Sequence, residues 1–91
     1  MNEYFIDCAA LTDRTAAHEY LKRALSLPEY YGHNLDALYD CLTEMSGCIE
    51  LLDVPAAGQL GEYGQSMLET FRDAARENPM LTVHEHGGIG G

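Results

Sequence analysis

Hydrophobic residues recur along the chain with two different spacings, and the two spacings alternate. Three short runs mix β-branched, aromatic and other apolar residues and are typical of strands: 3–9, 47–54 and 80–86. Three longer segments place an apolar residue every three or four positions and are typical of helices with one buried face: 15–25, 34–45 and 65–78. Strands and helices are therefore expected to alternate along the chain.

Capping and helix-breaking residues set the predicted boundaries of these elements. Thr15 and Asn34 are suited to begin the first and second helices, because their side-chain oxygens can accept backbone N–H groups. Pro79 ends the third helix, since proline disfavours a helical conformation at the residue before it. Proline and glycine punctuate the segments 26–33 and 55–64, which are predicted as loops, the second with one helical turn.

Alternating strands and helices predict an α/β fold with a small parallel sheet. Right-handed crossovers would place the helices on one face of that sheet. A chain of 91 residues forms one domain, predicted over 1–86, and GGIGG at 87–91 is predicted to be a frayed tail. No apolar run is long enough to span a bilayer, and the N-terminus lacks the basic segment of a secretory signal.

Charge is the strongest feature of the composition. The chain carries 15 acidic and 5 basic residues, for a net charge of −10. No Lys or Arg lies between Arg23 and Arg72. Such a surface repels nucleic acid and anionic membranes and attracts basic partners. Solubility alone would explain the total charge, but the gap favours an acidic field on one side of the molecule.

The cysteines Cys8, Cys41 and Cys48 are odd in number and have no CxxC spacing. This pattern argues against a disulfide framework and against a zinc site, and predicts buried free thiols in a reducing compartment. Cys41, among apolar neighbours, is interpreted as a packed thiol. We therefore expect a cytoplasmic protein.

The second predicted helix carries two distinct faces. An apolar stripe for the core is formed by Leu35, Leu38, Leu42 and Met45. Another flank is formed by Asp36, Tyr39, Asp40 and Thr43. Two carboxylates one turn apart repel each other, and no basic residue lies near them in sequence to compensate.

The spacing of this flank leaves three interpretations open. The acids could belong to a solvated helix face, or they could orient a protein interface in which Tyr30 and Tyr31 supply aromatic contacts. The third interpretation is an enzyme that uses Asp36 and Asp40 as an acid–base pair or as Mg²⁺ ligands. A convex helix offers no pocket for that chemistry, so the third interpretation is the least favoured.

Histidines supply no clear site in the sequence. His84 and His86 would share one face of the last strand, but no third metal ligand is evident, and a terminal strand that loses its packing explains the pattern better. His18 is placed on the polar side of the first helix, and neither His18 nor His33 is assigned a role. No metal and no cofactor are predicted.

The segment LPEYYGHNLDALYDCLT, at 27–43, closely resembles the signature of the barstar family, the intracellular inhibitors of the secreted ribonuclease barnase. The likeness is weaker in AAHEYLKRAL and returns in FRDAARE at 71–77. This resemblance implies a compact α/β fold with a three-stranded parallel sheet and helices packed against it. It also implies no catalytic activity, no cofactor and a basic ribonuclease as protein partner. We expect a monomer when the protein is free.

The resemblance also implies roles for residues at the start of the second helix. Asp40 would be the main anchor, in the place of a substrate phosphate, facing the catalytic His and Arg groups of the enzyme. Tyr30 would stack near the catalytic His. Asn34 and Asp36 would add polar contacts around the helix start.

Other positions match the family less closely. Tyr39 stands where the family has a larger aromatic, and Thr43 matches. Asp73 takes the position of a family acid that pairs with a basic side chain. Glu77 takes the position of a second acid, at the rim of the family's interface. After Thr43 the sequence EMSG replaces a Gly-Trp pair of the family's interface. The cognate enzyme is therefore expected to differ from barnase.

Overall fold

A computed structural model describes residues 2–87 of the chain. The strands are β1 (Glu3–Asp7), β2 (Gly47–Leu52) and β3 (Leu81–Glu85), and the α-helices are α1 (Arg14–Ala24), α2 (Leu35–Thr43) and α3 (Glu62–Glu77). Two 3-10 helices lie at Cys8–Ala10 and Val54–Leu60. The predicted α/β class is confirmed. Of the tail predicted at 87–91, residues 88–91 lie outside the described part of the chain.

The three strands form one parallel sheet in the order β1-β2-β3. Alternate residues turn to the core: Ile6 pairs with Leu51, and both are fully buried. They belong to one cluster that includes inward residues of all three helices. The row Phe5, Glu50 and His84 lies on the opposite side, where Phe5 is 57% exposed. We call this side of the sheet the open face, since the helices cover the other side.

Two boundaries near the N-terminus differ from the prediction because aspartates cap the backbone. Asp13, not Thr15, begins α1: its Oδ1 accepts the N–H of Ala16 at 2.9 Å. Aspartate caps a helix at least as well as threonine, and both were available in sequence. Asp7 accepts the N–H of Ala9 at 3.0 Å, which turns the chain into a 3-10 helix two residues before the predicted end of β1.

The segment predicted as a second loop is largely helical. The 3-10 helix Val54–Leu60 leads through Gly61 into α3, which begins at Glu62 rather than at residue 65. Gly61 has φ of 62°, a left-handed conformation that favours glycine. None of the helices in residues 2–87 is long and apolar enough to cross a membrane.

Gly64 lets the first turn of α3 approach the 3-10 helix. A Cβ at this position would lie 2.1 Å from the carbonyl oxygen of Ala57. We therefore expect Gly64→Ala to lose about 1–2 kcal/mol of unfolding free energy, because overpacking outweighs the helix-propensity gain of roughly 0.5–1 kcal/mol. Urea unfolding measures this. The control is Gly58→Ala, whose Cβ would meet no described atom within 4 Å; equal stability of the two variants would contradict the packing account.

Asn78 ties the end of α2 to the end of α3. Its side chain is 7% exposed, and its amide donates to the carbonyl oxygens of Leu42 at 3.0 Å and Met45 at 2.7 Å. Its Oδ1 accepts the N–H of Met80 at 3.0 Å. The last carbonyls of a helix have no partner within the helix, so this amide supplies one. The two helix ends are thereby held together.

The three cysteines are free thiols with different environments. Cys8 is buried, and burial, followed by the nearby Asp7 carboxylate, raises the pKa of its thiol to about 11. Cys41 on α2 is only half-buried, and burial raises its pKa. Cys48 is also half-buried, on the open face. The prediction of buried thiols therefore holds fully for Cys8 alone.

Candidate protein-binding site

Helix α2 is fixed by its cap and by its apolar stripe. The predicted cap is confirmed: Asn34 Oδ1 accepts the N–H of Ala37 at 2.7 Å, and its amide donates to the carbonyl of Gly32 at 3.2 Å. Leu38 and Leu42 are fully buried against the core. The stripe therefore sets which flank of the helix remains in contact with solvent.

The flank left outside carries the acids singled out in the sequence. Asp36 and Asp40 are exposed, and Tyr39 and Thr43 are half-buried. The Thr43 hydroxyl donates to the backbone carbonyl of Asp40 at 2.8 Å. Among residues 2–87, the ion pairs within 4.0 Å include neither Asp36 nor Asp40. These carboxylates remain available to cations on another molecule.

A groove beside α2 brings Tyr30 and Asp40 together. It has a volume of about 610 Å³ and is lined by the loop before α2 and by the outer residues of that helix, among them Tyr30, Asp40 and Glu44. Tyr30 is 87% exposed, whereas its neighbour Tyr31 is buried. The exposed aromatic ring and the two carboxylates thus border one concave surface, which is a shape that an inserted side chain of a partner could fill.

A second cavity, of about 540 Å³, lies at the start of α2 and is lined by Asn34 and Asp36 together with residues of α1. Arg14 also lines it, yet its guanidinium lies over the ring of Tyr63, 4.1 Å from the centroid, as a cation–π contact. Asp40 borders the first concavity and Asp36 the second, so the expectation that this helix offers no pocket is wrong.

The two acids predicted on α3 differ from those on α2. Asp73 is half-buried and already forms an ion pair with Arg76, one turn further along the helix. Glu77 is exposed at the end of α3, directly before Asn78, whose amide holds that end against the end of α2. Asp73 would have to exchange its partner on binding, so its net contribution is expected to be small.

Sequence reasoning missed the role of His18, and its placement on the polar side of α1 was wrong. The residue is 1% exposed; its Nδ1 lies 2.6 Å from the hydroxyl of Tyr31 and its Nε2 lies 2.6 Å from that of Tyr63. His18, Leu21 and Leu25 are spaced i, i+3 and i+7, which could have identified it as inward-facing. The imidazole joins α1, the Tyr30–Tyr31 loop and α3.

This buried imidazole predicts a pH effect on stability. Burial, and next the nearby His33, lower the pKa of His18 below its usual value of 6.5. The unfolded chain therefore takes up the proton first, so the stabilisation is complete above about pH 6.5 and declines as the pH falls through the folded pKa. We expect urea unfolding to show this decline between roughly pH 7 and pH 5. His18→Gln, which cannot titrate, should have a flatter profile, and identical slopes would contradict the assignment.

Comparison with known proteins identifies the class and then the relatives. The family described as Barstar (barnase inhibitor) matches residues 1–85, and the chain belongs to this family. A protein of Bacillus subtilis (strain 168) named "Putative ribonuclease inhibitor YrdF" is 35% identical over 81 residues, which covers 85% of this chain and 89% of that protein. The resemblance seen in the segment 27–43 is thus confirmed.

Proposed function

We propose that the protein inhibits a basic ribonuclease by inserting α2 and the preceding loop into the enzyme's active site. The observation that carries this proposal is the exposed pair Asp36 and Asp40, neither of which has an ion-pair partner among the described residues. Membership of the barstar family and the name of the Bacillus subtilis relative, a ribonuclease inhibitor, support it.

Asp40 is the central contact in this proposal. A ribonuclease active site must hold phosphate, so it gathers Arg, Lys and His side chains in a concave site. A carboxylate on a rigid helix can take the position of the phosphate and accept charge-assisted hydrogen bonds from those side chains. Tyr30, at the groove border, stacks on an enzyme side chain such as the catalytic His.

Residues around Asp40 complete the proposed surface. Asp36 adds a second carboxylate, and the amide of Asn34 retains one N–H beyond the bond to Gly32. Tyr39 and Thr43 extend the contact along α2. The rim is formed by Asp73 and Glu77 on α3. Binding requires no cofactor and no catalysis by this chain.

The proposed biological role is protection of the producing cell from its own or a delivered ribonuclease, with an inhibitor that acts in the cytoplasm and is monomeric when free. The segment EMSG after Thr43 replaces the turn that the family uses at the edge of the interface. We therefore propose a cognate enzyme other than barnase, with the central anchors kept and the edge contact changed. The alternative is an acidic module for a basic partner that is not a nuclease.

Inhibition assays separate these two functions. The protein is titrated against a panel of basic secreted and toxin ribonucleases, with barnase included, while RNA cleavage is followed. The proposal expects stoichiometric loss of cleavage for at least one enzyme of the panel. Capture of basic proteins without inhibition of any ribonuclease would favour the alternative.

Association with the enzyme should depend strongly on salt. The acidic residues between Arg23 and Arg72 create a field that accelerates encounter with a basic partner. We expect the association rate to fall at least tenfold between about 0.05 and about 0.5 M salt, while dissociation changes much less. Stopped-flow mixing measures both rates. A flat association rate would remove electrostatic steering from the mechanism.

A further inference from the structure

The open face of the sheet carries a compact group of metal-ligating side chains, and it lies on the side away from the helices. Cys48 and Glu50 lie two positions apart on β2 and so share one face of the strand, and Glu50 pairs in register with His84 of β3. Their side chains therefore emerge next to one another on the same face. Cys48 and Glu50 are half-buried and His84 is exposed, so an ion can reach all three from solvent.

We propose that Cys48, Glu50 and His84 form a binding site for a zinc-class divalent transition-metal ion. Cys48 Sγ lies 2.9 Å from Glu50 Oε2 and 3.6 Å from His84 Nδ1, and His84 Nδ1 lies 2.7 Å from Glu50 Oε2. One donor atom from each residue lies within 4.8 Å of the others. The fold thus brings two ligands of β2, Cys48 and Glu50, to His84 on β3, which the sequence around the two histidines does not show.

The donor set selects the class of metal. Thiolate, imidazole and carboxylate together suit Zn²⁺ and its neighbours, whereas Mg²⁺ and Ca²⁺ prefer oxygen alone. Bonds of about 2.0–2.3 Å at tetrahedral angles place donor atoms roughly 3.3–3.8 Å apart. The two separations at Glu50 Oε2, 2.9 and 2.7 Å, are roughly half an ångström shorter than this range, whereas the 3.6 Å between Cys48 Sγ and His84 Nδ1 lies within it. Small rotations of the Glu50 side chain at this accessible site therefore admit the ion. As the ion binds, the Cys48 thiol releases its proton to solvent, and His84 Nδ1 gives up the hydrogen that it directs at Glu50 Oε2, while the ring keeps one hydrogen on Nε2.

His86 positions the carboxylate ligand. Its Nε2 lies 2.6 Å from Glu50 Oε1, the oxygen that does not contact Cys48 or His84. A hydrogen bond to the second oxygen fixes the orientation of a ligating carboxylate. Three protein ligands leave the fourth tetrahedral position for water. The ion would join β2 to β3 directly, on the face opposite the helices, and so leave the surface of α2 unobstructed.

The test uses the purified full chain and Zn²⁺ alone, in competition with a chromophoric chelator. We expect one ion per chain, with affinity reduced at least about 100-fold by Cys48→Ser or His84→Gln and about 10-fold by His86→Gln. Cys41→Ser and His33→Gln are the matched controls and should bind as the wild type does. Affinities of Cys48→Ser and His84→Gln equal to that of the wild type, or no uptake by the wild type, would overturn the proposal.

A second measurement keeps the proposal decidable if a variant fails to fold. Co²⁺ bound through a thiolate gives charge-transfer absorption in the near ultraviolet, and Zn²⁺ should displace it. Zn²⁺ should also protect Cys48, but not Cys41, from alkylation as read by peptide mass spectrometry. Unprotected Cys48 together with absent charge-transfer absorption would reject the site. Ribonuclease inhibition should be equal with and without Zn²⁺, so this test is independent of the proposed function.

Discussion

Replacing Asp40 by Asn is expected to weaken ribonuclease binding by about 2 kcal/mol or more, roughly 30-fold in affinity, while leaving the fold as stable as before. Enzyme cations would lose their central partner. Within the fold, by contrast, the change relieves repulsion from Asp36 and Glu44, one turn to each side, worth a few tenths of a kcal/mol each. Arg72, a basic residue that tertiary folding might have brought close, is instead bonded to Glu85.

Asp40→Asn is thus expected to weaken binding without weakening the fold, and this difference separates a functional charge from a structural one. Urea unfolding gives the stability, and inhibition of the target ribonuclease gives the affinity. Asp53→Asn is the matched control: it removes the same charge outside α2, at a left-handed position that Asn also tolerates. Loss of stability with inhibition retained would mean that Asp40 serves its own fold, and the proposed function would lose its main support.

Replacing Asn78 by Asp is expected to cost about 3 kcal/mol or more of unfolding free energy at neutral pH. The carboxylate is nearly the same size but has no N–H to donate. It would face the carbonyl oxygens of Leu42 and Met45, which now accept the amide at 3.0 and 2.7 Å. Three acceptors would then meet at a site that is 7% exposed, with a charge added.

Asn34→Asp provides the control for the same chemical change at a different site. Asn34 is exposed, and its oxygen caps α2, a role that Asp fills equally well near the positive end of the helix dipole. The Asp variant would lose the amide bond to the Gly32 carbonyl, but at this exposed position water replaces the lost donor. Its stability should stay within about 0.5 kcal/mol of the wild type. Urea unfolding of both variants measures the difference, and similar losses at Asn34 and Asn78 would refute the proposed role of the buried amide.

The order of helices and strands could be predicted from the sequence because each element has its own short-range spacing of hydrophobic residues. The apolar stripe that contains Leu38 and Leu42 identified α2, and a short apolar run identified β2. The boundaries were less predictable, since neighbouring residues compete for the same cap: Asp13 begins α1 although Thr15 was also suitable. The first turn of α3, which begins at Glu62, packs closely through Gly64 on the carbonyl of Ala57 in the preceding 3-10 helix, and the apolar periodicity of α3 does not contain this contact.

The same distinction explains what was predictable in the sites. Asp36 and Asp40 were found because both lie on one helix, where spacing alone defines a flank. The contact between His18 and Tyr63 spans 45 positions, and the contact between Glu50 and His84 spans 34. Contacts of this kind arise only when separate elements meet in the folded chain. Periodicity within one element therefore gives no information about them.

Asp36 and Asp40 make no ion pair within the described part of the fold, and this affects how such proteins can change in sequence during evolution. Leu38 and Leu42 anchor α2, and the acids on the other flank make no ion pair in residues 2–87. Substitutions of these two exposed acids therefore carry little cost in stability, and single mutational steps at both positions remain open. An inhibitor that binds through these acids, as proposed, can follow changes in its target one side chain at a time, and each intermediate sequence still folds.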